Sequence, residues 1–135
     1  MNTTNPDPTQ YQKPFSEMSP SEYKQMIDSL EAFQRDALGY SASVQKGDWE
    51  GATDKYLSMK ERYENDPTIG GMLYSLREPV NEINEEYDER LPEFVNNFRM
   101  GIQEQRAKLK TRKAFDGIGD HVKTIKGMWD RAHSA

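Results

Sequence analysis

The chain contains no cysteine, so no disulfide, thiol nucleophile or cysteine-ligated metal can be built from it. It has two histidines, His121 and His133, both near one end. Neither a Ser–His–Asp arrangement nor a paired-histidine metal site can be argued from them. Asp130 and His133 stand three apart on one helical face, but there is no Glu-x-x-His pair of the kind a di-iron bundle uses. Long apolar runs are missing too: none approaches the ~18 residues that read as a membrane span. The opening residues, MNTTNPDPTQ, have no basic start and no apolar stretch, so no secretory signal is expected. Gly70-Gly71 lacks the Lys and Ser/Thr that a phosphate loop needs. No catalytic residue, metal or cofactor is therefore expected, and a soluble protein of the cytoplasm or of a viral particle is.

What is present is polar and helical in pattern. Apolar residues make up 34% of the 135 positions and charged residues 30%, near the low end of what builds a core. Mean hydropathy is −1.01, which a helical bundle tolerates because each helix needs only a narrow apolar stripe. The stretch from Lys46 to Pro67 has both ends marked. Gly47 can close a preceding helix and Asp48 can cap the next one, with Glu50 in its first turn. Trp49, Ala52, Tyr56, Met59 and Tyr63 then recur at spacings of three and four, which makes one apolar face. Asp66-Pro67 stops that helix and can start another, Asp66 as cap and Pro67 in the first helical position.

Gly47, Asp48, Trp49, Ala52 and Tyr56, followed by Asp-Pro, resemble the turn and second helix of a tetratricopeptide repeat over about one hairpin. Repeat folds stack about three such units. No second copy occurs here, and an ordinary antiparallel helix pair accounts for the same residues.

Residues 1–18 hold Pro6, Pro8 and Pro14 and show no helical or strand period, so they read as an extended arm. Tyr11 and Phe15 are its only large apolar side chains and are candidates for docking, on this domain or on a neighbour. Residues 19–135 read as one helical domain. Ser19-Pro20-Ser21-Glu22 is a capping box with proline at the first helical position. Behind it Tyr23, Leu30, Ala37 and Val44 fall seven apart, as do Met26, Phe33 and Tyr40. Beyond Pro67 the residues Ile69, Val80, Leu91 and Ile102 fall eleven apart, and Leu76, Ile83, Phe94 and Phe98 lie between them. This reads as one long helical path, with a break or kink expected near Pro79 and near Pro92. Asp116-Gly117-Ile118-Gly119-Asp120 reads as a turn, which makes residues 99–135 a basic helix–turn–helix ending on Val122, Ile125 and Trp129.

The fold class expected is all-α, with four to five helices in an elongated bundle or an array of helical hairpins. The expected core contains Tyr23, Leu30, Phe33, Trp49, Tyr56, Leu76, Ile83, Phe94, Phe98 and Trp129.

The net charge of −5 is unevenly distributed. Residues 1–98 carry 9 basic and 19 acidic side chains; residues 99–135 carry 9 basic and 4 acidic ones. Acid crowds at Glu82, Glu85, Glu86, Asp88 and Glu89. Arg106, Lys108, Lys110, Arg112 and Lys113 occur without an intervening acid. The two clusters can attract each other within the fold, or the basic one can dock on an acidic surface elsewhere. If the path between them is straight they lie ~30 Å apart, and only a sharp turn near Pro92 brings them together. Nucleic acid is a further candidate for the basic cluster, but no aromatic interleaves it and the acidic remainder repels phosphate. The expectation is a non-enzymatic assembly or adaptor protein that docks on another protein, or on further copies of itself, through the basic segment and the arm. A chaperone-like or inhibitory binding module and a nucleic-acid-associated protein are the alternatives. In layout the chain is similar to phage and viral scaffolding or accessory virion proteins, in which a basic terminal helical segment binds a shell.

Overall fold

The computed structural model describes residues 12–83 and 88–134, with side chains from residue 15 onward, and every regular element in them is helical. In chain order these are α1 (Gln12–Glu17), α2 (Pro20–Gln45), α3 (Trp49–Tyr63), α4 (Gly70–Asn81) and α5 (Glu93–His133). α2 packs on α3 and α5, and α4 packs on the same two helices. The four close a ring in which α3 and α5 occupy opposite corners, and α1 lies against α5.

The helix starts follow from their caps. Ser19 Oγ accepts from Glu22 N–H, and the Glu22 carboxylate accepts from Ser19 N–H. The backbone N–H and hydroxyl of Ser19 hold the Glu22 carboxyl below its ordinary range. Gly47 closes the α2–α3 turn at φ 74°, in left-handed space that costs a β-carbon residue energy. Asp48 then accepts from Gly51 N–H at 2.9 Å and opens α3. Asp66 does not start α4 directly. Its carboxylate accepts from Thr68 and Ile69 N–H, which caps a single turn, and α4 begins at Gly70 without a side-chain cap.

The core is built from one face of each helix. Leu30, Phe33 and Leu76 are buried, while Tyr23, Trp49, Tyr56 and Trp129 are half-buried and pack at its edges. Ile83 is half-buried where the chain leaves α4. Phe33 meets the Tyr63 ring edge to face at 5.2 Å. The Tyr40 hydroxyl, fully buried, donates to the Leu76 carbonyl at 3.1 Å and ties α2 to α4. Arg62 and the Tyr63 hydroxyl both reach Asp36, and Lys55 reaches Ser43, so α3 runs antiparallel to α2. Gln45 donates to the Lys108 carbonyl and Lys126 pairs with Glu31, so α5 runs antiparallel to α2 as well.

Three sequence expectations are corrected. Residues 12–17 are not part of an extended arm: they form α1, and Phe15 is fully buried. Its ring meets Tyr23 and Trp129 edge to face, Tyr23 stacks on Trp129 at 4.0 Å, and His133 covers Trp129 from the other side. His133 Nε2 also contacts the Phe15 carbonyl. Phe15 therefore docks on its own domain and is not available to a partner. Tyr11 lies outside the described residues.

Second, residues 69–102 are not one helical path but two helices, and the interruption falls where breaks were expected, just past Pro79 and at Pro92. α4 continues only to Asn81, just past Pro79, and Pro92 stands at the N-cap of α5. Third, the Asp116–Asp120 stretch is not a turn; α5 passes through it unbroken for 41 residues. A glycine costs a helix about 1 kcal/mol relative to alanine. Ile118, Val122 and Ile125 are each at most 4% exposed, and burying such a side chain contributes roughly 1.5–3 kcal/mol. Packing on α2 outweighs the two glycines.

Candidate docking surface

Because α2 ends at Gln45, opposite Lys108 and Arg112, α5 runs on past it. The last turn of α4 reaches only to Gln103, Ala107 and Lys110, where Pro79, Glu82 and Ile83 line a small hollow with them. Residues 93–102 thus project beyond the four-helix body. The segment preceding α5 covers one side of the projection. Asn96, 4% exposed, accepts from Asp88 N–H and donates to the Asp88 and Leu91 carbonyls. Asp88 in turn is gripped by Arg90, which holds its carboxyl below the ordinary range.

The other side of the projection is uncovered. Phe94 is 74% exposed, Phe98 68%, Leu109 51% and Ile102 39%. Phe94 and Phe98 were expected in the core and are instead on the outside. The physical reason lies in the phase of the stripe. Leu109 and Ile118 are nine residues apart, which at about 100° per residue puts them on opposite faces of one helix. The lower stripe of α5 faces the bundle and the upper stripe faces away from it. Scattered exposed apolar residues are ordinary; an aligned row on one face of a projecting helix is a candidate interaction surface. Phe98, Gly101, Ile102, Gln105, Arg106 and Leu109 line a shallow open hollow of about 600 Å³ along it.

The basic residues edge the same region. Lys110 pairs with Glu82 at 2.7 Å and Arg112 donates to Gln45 Oε1 at 3.1 Å. Arg106, Lys108 and Lys113 make no ion pair among the described residues. The five cations thus divide: two brace α5 against its neighbours, and of the other three Arg106 and Lys113 are exposed and Lys108 is half-buried. Glu85 and Glu86, in the acidic crowd, lie outside the described residues.

Elsewhere the shifted groups belong to caps, ion pairs and buried rings. Burial pushes the Tyr40 hydroxyl up and the His121 imidazole down. Among the described residues no three His, Asp or Glu side chains come together as metal ligands, and no helix is long and apolar enough to cross a membrane. The signal that finds the docking row was in the sequence. Val95, Phe98, Ile102, Gln105 and Leu109 alternate by three and four, out of phase with Ile118, Val122 and Ile125. Comparison with family models, with curated proteins and with solved structures finds nothing that matches this chain.

Proposed function

We propose that this protein is a non-enzymatic helical adaptor or assembly subunit, and that it docks in a larger complex through the outer face of α5. The observation that carries the reading is the row Phe94, Phe98, Ile102 and Leu109, exposed on a helix that projects past its bundle. Fully covering a side chain of this kind contributes roughly 1.5–3 kcal/mol, so a partner has several kcal/mol to gain there. The exposed Arg106 and Lys113, with the half-buried Lys108, add charge for steering and orientation. A scaffolding or accessory role in a particle, suggested by the basic terminal segment, is part of the same proposal. Docking through residues 12–17 is not, because Phe15 is buried in the fold.

The test is a Phe98→Glu, Ile102→Glu double variant, examined for helical circular dichroism and for assembly. Assembly is read by light scattering of the protein alone and of the tagged protein recovered from its native source. Phe98 is 68% and Ile102 39% exposed on the outer face of α5, so the fold should persist while assembly or partner recovery is lost. A variant that assembles as the parent does would end the reading. A steep salt-dependent shift with DNA that survives the double substitution would favour nucleic-acid binding by the basic residues instead.

A further inference from the structure

We infer that the occupant of the α5 face is an amphipathic helix of a partner protein, apolar along one seam and acidic along its edges. The inference rests on the docking reading above and specifies the partner's chemistry. Val95, Phe98, Ile102, Gln105 and Leu109 alternate by three and four, the spacing by which one helix receives the side chains of another. At 1.5 Å per residue this seam is about 21 Å long, four turns of a partner helix. Gly101 borders it, and a β-carbon there would meet nothing within 4 Å, so a partner side chain can approach the α5 backbone closely at that point.

The edges set the partner's charge. Arg99, Arg106 and Lys113 follow the seam at intervals of seven along one side, and Gly101 and Lys108 do so along the other. No acid of α5 itself stands on either edge, since Glu104 points toward the bundle side and is half-buried; Asp88, ahead of α5, lies within reach of the charge of Arg99 only. A second copy of the same face is a poor match. Antiparallel pairing sets Arg99, Arg106 and Lys113 against their own equivalents, and parallel pairing sets Lys108 against Lys113. Like charges in these positions destabilise the pair and suppress the wrong partner. The acidic outer face of α3 (Glu50, Asp54, Glu61, Glu64) matches in charge, but Leu57 is its single exposed large apolar residue. It cannot cover Phe98, Ile102 and Leu109 together. The complement is a helix with apolar residues at seam spacing and Glu or Asp beside them.

The experiment uses the full chain and two labelled synthetic helices of four heptads, with leucine in the seam and either glutamate or lysine along both edges. Fluorescence anisotropy reads binding. The glutamate-edged peptide should bind at least about tenfold more tightly than the lysine-edged one, and less tightly as salt rises. Phe98→Glu with Ile102→Glu should remove binding. Arg106→Glu with Lys113→Glu should reverse the preference between peptides while circular dichroism stays unchanged. Equal binding of both peptides, or binding of neither, overturns the inference. So does sedimentation with phosphatidylserine vesicles, or a concentration-dependent dimer, that depends on Phe98 and Ile102. Those last two outcomes leave the face a docking surface and change only its occupant. If the Phe98 and Ile102 substitutions alter none of these measurements, the docking reading falls with the inference.

Discussion

Lys110 Nζ lies 2.7 Å from Glu82 Oε2, and the pair links the middle of α5 to the residue that follows α4. The chain reversal ahead of Pro92 brings a basic residue onto an acidic one inside the fold. Both side chains are about half in solvent, at 55% and 50% exposure, where an ion pair contributes only about 0–1 kcal/mol. Lys110→Ala should therefore cost less than about 1 kcal/mol in urea denaturation, and less again at high salt. A salt-independent loss of several kcal/mol would show that the Lys110 stem, not its charge, holds α4 to α5.

Phe15→Ala should destabilise the protein by about 3–5 kcal/mol, because the ring is fully buried between Tyr23 and Trp129. The emission of Trp129 should shift in the native state as the aromatic clasp loosens. A loss under about 1 kcal/mol would mean that α1 contributes nothing to the fold.

Tyr40→Phe removes the hydroxyl that donates to the Leu76 carbonyl in a fully buried setting. The expected loss is about 0.5–1.5 kcal/mol, the net range for one interior hydrogen bond, because the Leu76 carbonyl also lies within the helical ladder of α4. Amide exchange should rise across both α2 and α4. If the rise is confined to α2, the bond does not couple the two helices.

His121 supplies a pH dependence. Burial pushes its imidazole below the ordinary value of 6.5. The unfolded chain then binds a proton at a higher pH than the native one does, so stability rises with pH between the two values. Stability should be full above the unfolded-state value and fall as the pH drops through it. It should level off once the folded-state value is passed. His121→Gln should flatten that part of the profile in denaturation series run between about pH 7.5 and pH 5. An unchanged profile would show that His121 does not contribute to it.

The sequence made the first half of the fold readable where it carried local chemistry. Ser19 and Glu22 cap α2, and Asp48 caps α3, because short polar side chains can satisfy free N–H groups within one turn. The periods of α2 and α3 mark the faces that meet. The second half depended on contacts between distant residues. Gly117 and Gly119 look like turn residues until Ile118 and Val122 are known to pack on α2. Phe94 and Phe98 look like core until the bundle is known to pack on the opposite face of α5, the one that carries Ile118 and Val122. Periodicity says which residues share a face of a helix; it does not say which of two faces a neighbour covers. The basic residues were legible as a cluster, but their division between Lys110 or Arg112 and the three without an ion pair needed the positions of Glu82 and Gln45.

The unbroken course of α5 makes it a strut. At 1.5 Å per residue its 41 residues span about 60 Å, with the apolar row at one end and the Phe15–Trp129–His133 clasp at the other. No hinge separates the two ends, so anything seated on the row stands at a set distance and angle from α1. Inserting four residues between Lys113 and Ile118 would lengthen that gap by about 6 Å and turn one end relative to the other by about 40°. The helix thus fixes the spacing and orientation of its own two ends.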